Sequence, residues 1–216
     1  MPDTPAPTTA PAPRGRPVDP RKDEQILCAA ARLFMHQGLQ GTTMEQIAKD
    51  ANVSKLTLYR RYPDKNTLFT DVVVAKCESY LPDEILTPQP GPSAQETLQR
   101  LGEALLRLLT SEAGLDLHRV ITAETAHNPE LGGAFYARGP EPFQQAMKAL
   151  LDGLNARGDL KIDDTSAAAE HFVALLVGSR LCERCRLRLR GAPDEAEIAA
   201  CVGRIVGFFM RGCGGA

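Results

Sequence analysis

From Arg21 to the C-terminus, apolar residues return every three or four positions, with no sustained Val/Ile/Thr alternation. That is the period of a helix and not of a strand, so the chain must fold as packed helices. Ala, Leu, Glu, Gln and Arg, all good helix formers, are abundant in the same stretch. The expected fold class is all-α.

The first twenty residues differ sharply. They read MPDTPAPTTAPAPRGRPVDP, a Pro/Ala/Thr tract with seven prolines that cannot form a helix and has nothing to bury. Residues 1–20 are therefore expected to be a disordered arm made basic by Arg14 and Arg16. No apolar core of the signal-peptide kind is present, and no run approaches the ~18 apolar residues of a membrane helix. Six cysteines are too sparse for a disulfide scaffold. The expectation is a soluble, cytoplasmic protein that engages no membrane and needs no cofactor.

Helix signals divide the rest. A first helix is expected over about 21–37, with Ile26, Ala30, Leu33 and Phe34 on one face and Gly38 ending it. Two short helices follow near 44–50 and 54–61, the first capped by Thr43 with Gln46 three residues on, the second by Ser54. Asp64 caps a fourth over 65–80, which Pro82 closes. Pro88, Pro90, Gly91 and Pro92 mark a joint. It separates an N-terminal domain over 21–81 from a larger helical domain over 93–212. In the latter, helices are expected near 93–111, 115–127, 129–156, 164–190 and 194–211, with Gly139-Pro140 and Pro142 interrupting the third.

Charge is divided in the same way. The net charge is only −2, yet residues 14–65 hold ten basic side chains against six acidic, and residues 66–216 hold fifteen against twenty. Only the N-terminal part carries the sign a polyanion favours.

Within that part lies Thr43-Met-Glu-Gln-Ile-Ala-Lys-Asp-Ala-Asn-Val-Ser-Lys-Leu-Thr-Leu-Tyr-Arg-Arg-Tyr62. Met44, Ile47, Ala48 and Ala51 form one apolar face, Val53 and Leu58 another. Ala48 is small enough for a close helix crossing. Asn52 occupies the turn, where a residue tolerant of positive φ is needed. This is the pattern of a helix-turn-helix, whose second helix lies in the major groove of DNA. Its exposed face would carry Lys55, Thr57, Tyr59, Arg60 and Arg61, types suited to phosphates and base edges. On composition alone an ordinary helical hairpin with a solvated charged face accounts for the same residues.

Residues 21–81 closely resemble the DNA-binding domain of the TetR family of transcriptional regulators. The resemblance runs through ILCAAARLFMHQG, TTMEQIAKDANVS, TLYRRYPDK and the Leu68-Phe69 that follow. Asn52 stands where a turn glycine is usual, and Leu56 where a small residue is common. The resemblance implies that Thr43, Tyr59 and Lys65 seat the domain on phosphates. It further implies that Ser54, Lys55, Thr57, Arg60, Arg61 and Tyr62 belong to the DNA-facing set, and that Arg14 and Arg16 form an arm reaching a minor groove. It also implies a homodimer on a palindromic double-stranded operator, released by a small molecule.

His127 to Pro140 resembles the ligand domain of efflux-linked members. The pocket candidates are polar residues in apolar surroundings: His118, Glu124, His127, Tyr136 and His171, with Arg119 beside them. Walls of Leu105, Leu109, Leu115, Ile121 and Phe143 would suit an apolar or amphipathic effector. The last two helices are the natural dimer elements, through Phe172, Leu175, Leu176 and Ser179 on one and Ile198, Val202, Ile205 and Phe209 on the other. A helix running from the DNA-facing Lys65 to Leu81 is expected to be the only rigid element touching both sites.

Cys182-Glu-Arg-Cys185 is the only CxxC and falls inside the long 164–190 helix, followed by a basic run from Arg184 to Arg190. Packing cysteines are the default reading. A regulator switched by thiol oxidation or metal at this pair is an alternative, and a helical enzyme another. No Ser/His/Asp set, Gly-rich phosphate loop or HExxH pattern supports the enzyme.

Overall fold

The computed structural model describes residues 20–81, 86 and 91–213. The arm with Arg14 and Arg16, and the joint prolines Pro82, Pro88 and Pro90, lie outside the described residues. Those described form helices without a strand. We number them α1 (Pro20–Gly41), α2 (Met44–Asp50), α3 (Lys55–Arg61), α4 (Lys65–Tyr80), α5 (Ala94–Thr110), α6 (Glu112–Thr125), α7 (Pro129–Arg138), α8 (Pro140–Ala156), α9 (Thr165–Val177), α10 (Arg180–Arg186) and α11 (Glu195–Cys213).

Most helix starts follow from their caps. Ser93 and Glu96 form a reciprocal capping box at α5, and Asp164 accepts from the Ala167 amide at α9. Gly38 breaks α1 in the left-handed region (φ 75°), near the position its sequence assigns to the helix end. The segment 129–156 divides at Gly139, as its prolines require.

One expected helix is corrected. The 164–190 stretch is two helices, because Gly178 leaves the helix and extended Ser179 caps a new one, accepting from the Cys182 amide at 3.3 Å. The basic run is also not helical throughout. Helix α10 ends at Arg186, and Arg188 adopts φ 52°.

Two cores hold the molecule. The larger joins α5, α8, α9, α10 and α11 through Leu101, Leu105, Leu150, Leu154, Phe172, Leu176 and Val202. Gly102 lets α11 approach α5 closely, since a Cβ there would stand 2.6 Å from Val202 Cγ1. The second core joins α1 to α4 through Ile26, Phe34, Ile47, Leu58, Leu68 and Phe69, and it also takes in Leu117 and Val120 of α6 and Leu131 of α7. The larger domain therefore completes the core of the smaller one. Polar links reinforce this seam. Gln40 Nε2 donates to Glu124 Oε2 at 2.7 Å, and Arg138 of α7 pairs with Asp71 of α4. Helix α4 is therefore not the sole link between the two parts of the chain, because α6 and α7 lie directly on α1 and α4.

The start of α11 carries a pH-dependent element. Glu197 accepts from Arg190 Nη1 at 2.6 Å and from the Asp194 amide at 3.1 Å. Those bonds, the guanidinium first, draw its pKa from 4.5 to about 2. A depressed carboxylate pKa stabilises the fold above the unfolded value and loses that contribution as pH falls through the folded one. Stability in acid should therefore fall less steeply between about pH 4.5 and 2 in Glu197→Gln than in the parent chain. Parallel acid titrations followed by circular dichroism would show superimposable slopes if this link carried nothing.

Candidate nucleic-acid interface

Helix α2, the turn and α3 are built by short-range bonds that the sequence specifies. The Thr43 hydroxyl accepts from the Gln46 amide at 3.2 Å, and Gln46 Oε1 accepts from the Thr43 amide at 2.8 Å. Asn52 takes φ 53° between the helices, and the Val53 amide reaches back to the Ala48 carbonyl at 2.9 Å. The Ser54 oxygen then caps α3 by accepting from the Thr57 amide at 3.1 Å. Ile47, Ala48 and Leu58 are buried where α2 and α3 meet the core. A seven-residue helix such as α3 cannot stand alone. Its orientation is fixed by Leu58 on one side and by its cap.

That anchoring leaves a defined outer face. Lys55, Tyr59 and Arg60 are exposed and Thr57 is half-buried, its hydroxyl 2.8 Å from that of Ser54. Lys55 is held by Glu45 of α2 at 3.2 Å. Bonding to its own backbone amide, then to the Lys55 ammonium, keeps the Glu45 carboxyl below its usual range. Thr43 is exposed at the start of α2. Lys65 is half-buried and donates from Nζ to the Thr42 carbonyl at 2.9 Å, tying the start of α4 to that of α2.

Two expected DNA contacts point elsewhere. Arg61 pairs with Asp23 of α1, and its side chain is only 15% exposed. Tyr62 is buried in the α1–α4 core, and burial followed by Asp23 and Asp71 pushes its phenol up. The cause is helical geometry. Arg61 and Tyr62 follow the buried Leu58 by three and four positions and share its inward face.

The expected effector residues do not converge. Glu124 is spent on Gln40, while His118, His127 and Tyr136 lie on exposed positions of α6, the turn after it and α7. Although His118 keeps an exposed edge, desolvation of its ring by its surroundings, then the Arg186 guanidinium, lowers its pKa. His171 lines an open groove beside α9 and α11. Of the expected walls, Leu105 is buried in the larger core with Leu109 and Phe143 packed against it, Ile121 packs against the smaller core, and Leu115 is half-buried and belongs to neither.

The dimer assignment is likewise corrected in part. Phe172, Leu176, Ile198, Val202 and Phe209 are buried within the chain's own core, with Phe172 and Phe209 edge to face at 5.0 Å. Leu175, Ser179 and Ile205 remain partly exposed. They border an open groove of about 970 Å³ and its neighbour of about 480 Å³, which share Leu175, Gly178 and Phe208. Phe208 is the outward residue of the adjacent pair, whereas the spacing from Ile198, Val202 and Ile205 singles out Phe209, which is buried.

The cysteine pair lies on α10, with both side chains buried. Burial pushes both thiols up, which disfavours the reactive thiolate. Among the described residues, no three His, Cys, Asp or Glu are placed to hold a metal ion. Nor is any helix there long and apolar enough to cross a membrane.

Comparison with known proteins agrees with this architecture. Residues 26–72 match the family profile described as bacterial regulatory proteins, tetR family. Residues 96–213 match the C-terminal domain of AefR-like transcriptional repressors. An HTH-type transcriptional regulator of Bacillus subtilis, YdeS, is 30% identical over 148 residues, covering 68% of this chain and 72% of its own. The crystal structure of a TetR-family regulator from Mesorhizobium loti superposes with TM-score 0.77 at 30% identity, over 91% of this chain and 98% of the other. The flavonoid-responsive regulator FrrA gives TM-score 0.72 at 32% identity, over 90% and 98%. These relatives are transcriptional regulators, not enzymes. The chain, with its exposed α3 set on a core shared by both helical domains, belongs to the TetR family of DNA-binding transcriptional regulators.

Proposed function

We propose that this regulator is a repressor, acting as a homodimer on an inverted-repeat operator and released by a small apolar or amphipathic molecule. The observation that carries the reading is the outer face of α3. Leu58 locks the helix down, while Lys55, Tyr59 and Arg60 stay exposed in a basic part of the chain. Such a face suits the major groove, with Arg60 able to meet a guanine edge and Thr43, Tyr59 and Lys65 able to meet phosphates. Ser54 and Thr57 shape the start of that helix. The basic arm of Arg14 and Arg16 would add minor-groove contacts beside it.

Repression is supported by the likeness of residues 96–213 to a repressor domain. Dimerisation is supported by the groove along α9 and α11, where the large apolar side chain of Phe208 is 62% exposed. An effector acting on α6 or α7 would have a short route to DNA, because both helices complete the α1–α4 core. FrrA is named for its response to flavonoids, so planar aromatic amphiphiles are the first effector class to test.

The test compares two variants on a selected operator and its single-base changes. Lys65→Ala should weaken binding by a similar factor on every sequence. Arg60→Ala should relax preference at one base pair per half-site, by roughly 1–3 kcal/mol. Equal effects of both variants on all sequences would mean that α3 does not face the groove.

A further inference from the structure

Leu56 has no structural employment within the chain. It sits in the first turn of α3 and is 70% exposed, whereas Leu58, two residues on, is completely buried. A single exposed leucine is ordinary on a protein surface. Its neighbours make this one different. Leu56, Tyr59 and Arg60 stand at i, i+3 and i+4 and so share one helix face, with the exposed Lys55 beside them. Leu56 and Tyr59 are both exposed large side chains, so that face is open to solvent. A large apolar group held out on a basic, otherwise polar face gains burial only when another surface closes over it.

We infer that Leu56 is a specificity-determining residue that reads the C5-methyl group of a thymine in the major groove. The thymine methyl is the apolar feature that the groove presents to a protein, and residues at the N-terminal end of a recognition helix reach base edges. Leu56 occupies that end, while Arg60 stands one turn further along the same face. The pair would read a methyl and a hydrogen-bonding edge at neighbouring base pairs. The inference rests on the reading of α3 as the groove-facing helix, and adds a base preference that the polar residues do not supply.

The experiment uses the full chain and the duplex it selects from a random pool. Each thymine of a half-site is replaced in turn by deoxyuridine, which removes only the methyl group. The parent chain should lose about fourfold in affinity per half-site at one thymine, the factor expected for one methyl-sized group. Leu56→Ala should lose a similar factor on the thymine duplex and nothing further on the uracil duplex. Because Leu56 is so exposed, Leu56→Ala should melt with the parent, so a loss of binding cannot be a loss of fold. Sequence-specific binding by a parent indifferent to uracil at every position, or additive losses in Leu56→Ala, would overturn the role of Leu56 alone. Failure to select any duplex would overturn the groove-facing reading of α3, and the role of Leu56 with it.

Discussion

Replacing Phe34 by alanine should cost about 3–5 kcal/mol of stability, the range for losing a fully buried aromatic side chain. Phe34 is completely buried in α1 and meets Phe69 of α4 edge to face, the ring centroids 5.2 Å apart. For a chain of this length the melting temperature should drop by roughly 6–20 °C. The shape of the transition matters as much as its midpoint. Leu117, Val120 and Leu131 of the larger domain belong to the same core as Phe34. The small unit should therefore not melt by itself while the rest stays folded. A calorimetric scan of Phe34→Ala should show one shifted transition, and two separated transitions would mean that the seam between the domains contributes little.

Phe208→Glu should have the larger effect on function and a small one on fold. The side chain is exposed within the single chain, so a carboxylate there meets water in the monomer. In the proposed dimer it would be buried against the second copy, where an unpaired charge is strongly unfavourable. Sedimentation should show monomer where the parent is dimer. Operator affinity should then fall by about 10²–10⁴, the gain that linking two half-site contacts provides. A variant that remains dimeric with unchanged operator binding would place the interface elsewhere.

Local chemistry was the part of this molecule most legible in its sequence. The Thr43–Gln46 box, the Ser54 cap and the positive φ of Asn52 need only neighbours in the chain. A helix-turn-helix is made of such contacts, so its pattern could be read directly. Which face of a helix meets which partner could not be read so easily. Periodicity groups Phe172, Leu176 and Phe209 as apolar, but it does not distinguish the chain's own core from a second chain. Arg61 and Tyr62 show a related limit. The resemblance groups them with the DNA-facing residues, yet their position one turn after Leu58 turns them toward α1.

The seam was less visible still. Glu124 and Asp71 are ordinary surface residues until Gln40 and Arg138, far off in the chain, are brought against them. The expected apolar walls show the same limit, since periodicity does not tell that Leu105 and Phe143 pack with one core and Ile121 with the other. The break at Gly178-Ser179 had a local signal, a glycine followed by a capping serine, that the strong apolar periodicity on both sides outweighed.

In the proposed complex two copies of α3 read one inverted-repeat duplex. Selection of bound sequences from a random pool by the full chain, followed by footprinting of the winning duplex, tests it most directly. The expected result is an inverted repeat whose half-sites lie about one helical turn (~34 Å) or a multiple of it apart, protected on one face of the duplex. Its binding should weaken steeply with salt. Enrichment of no common sequence, or of a single unrepeated site bound by one copy, would contradict it.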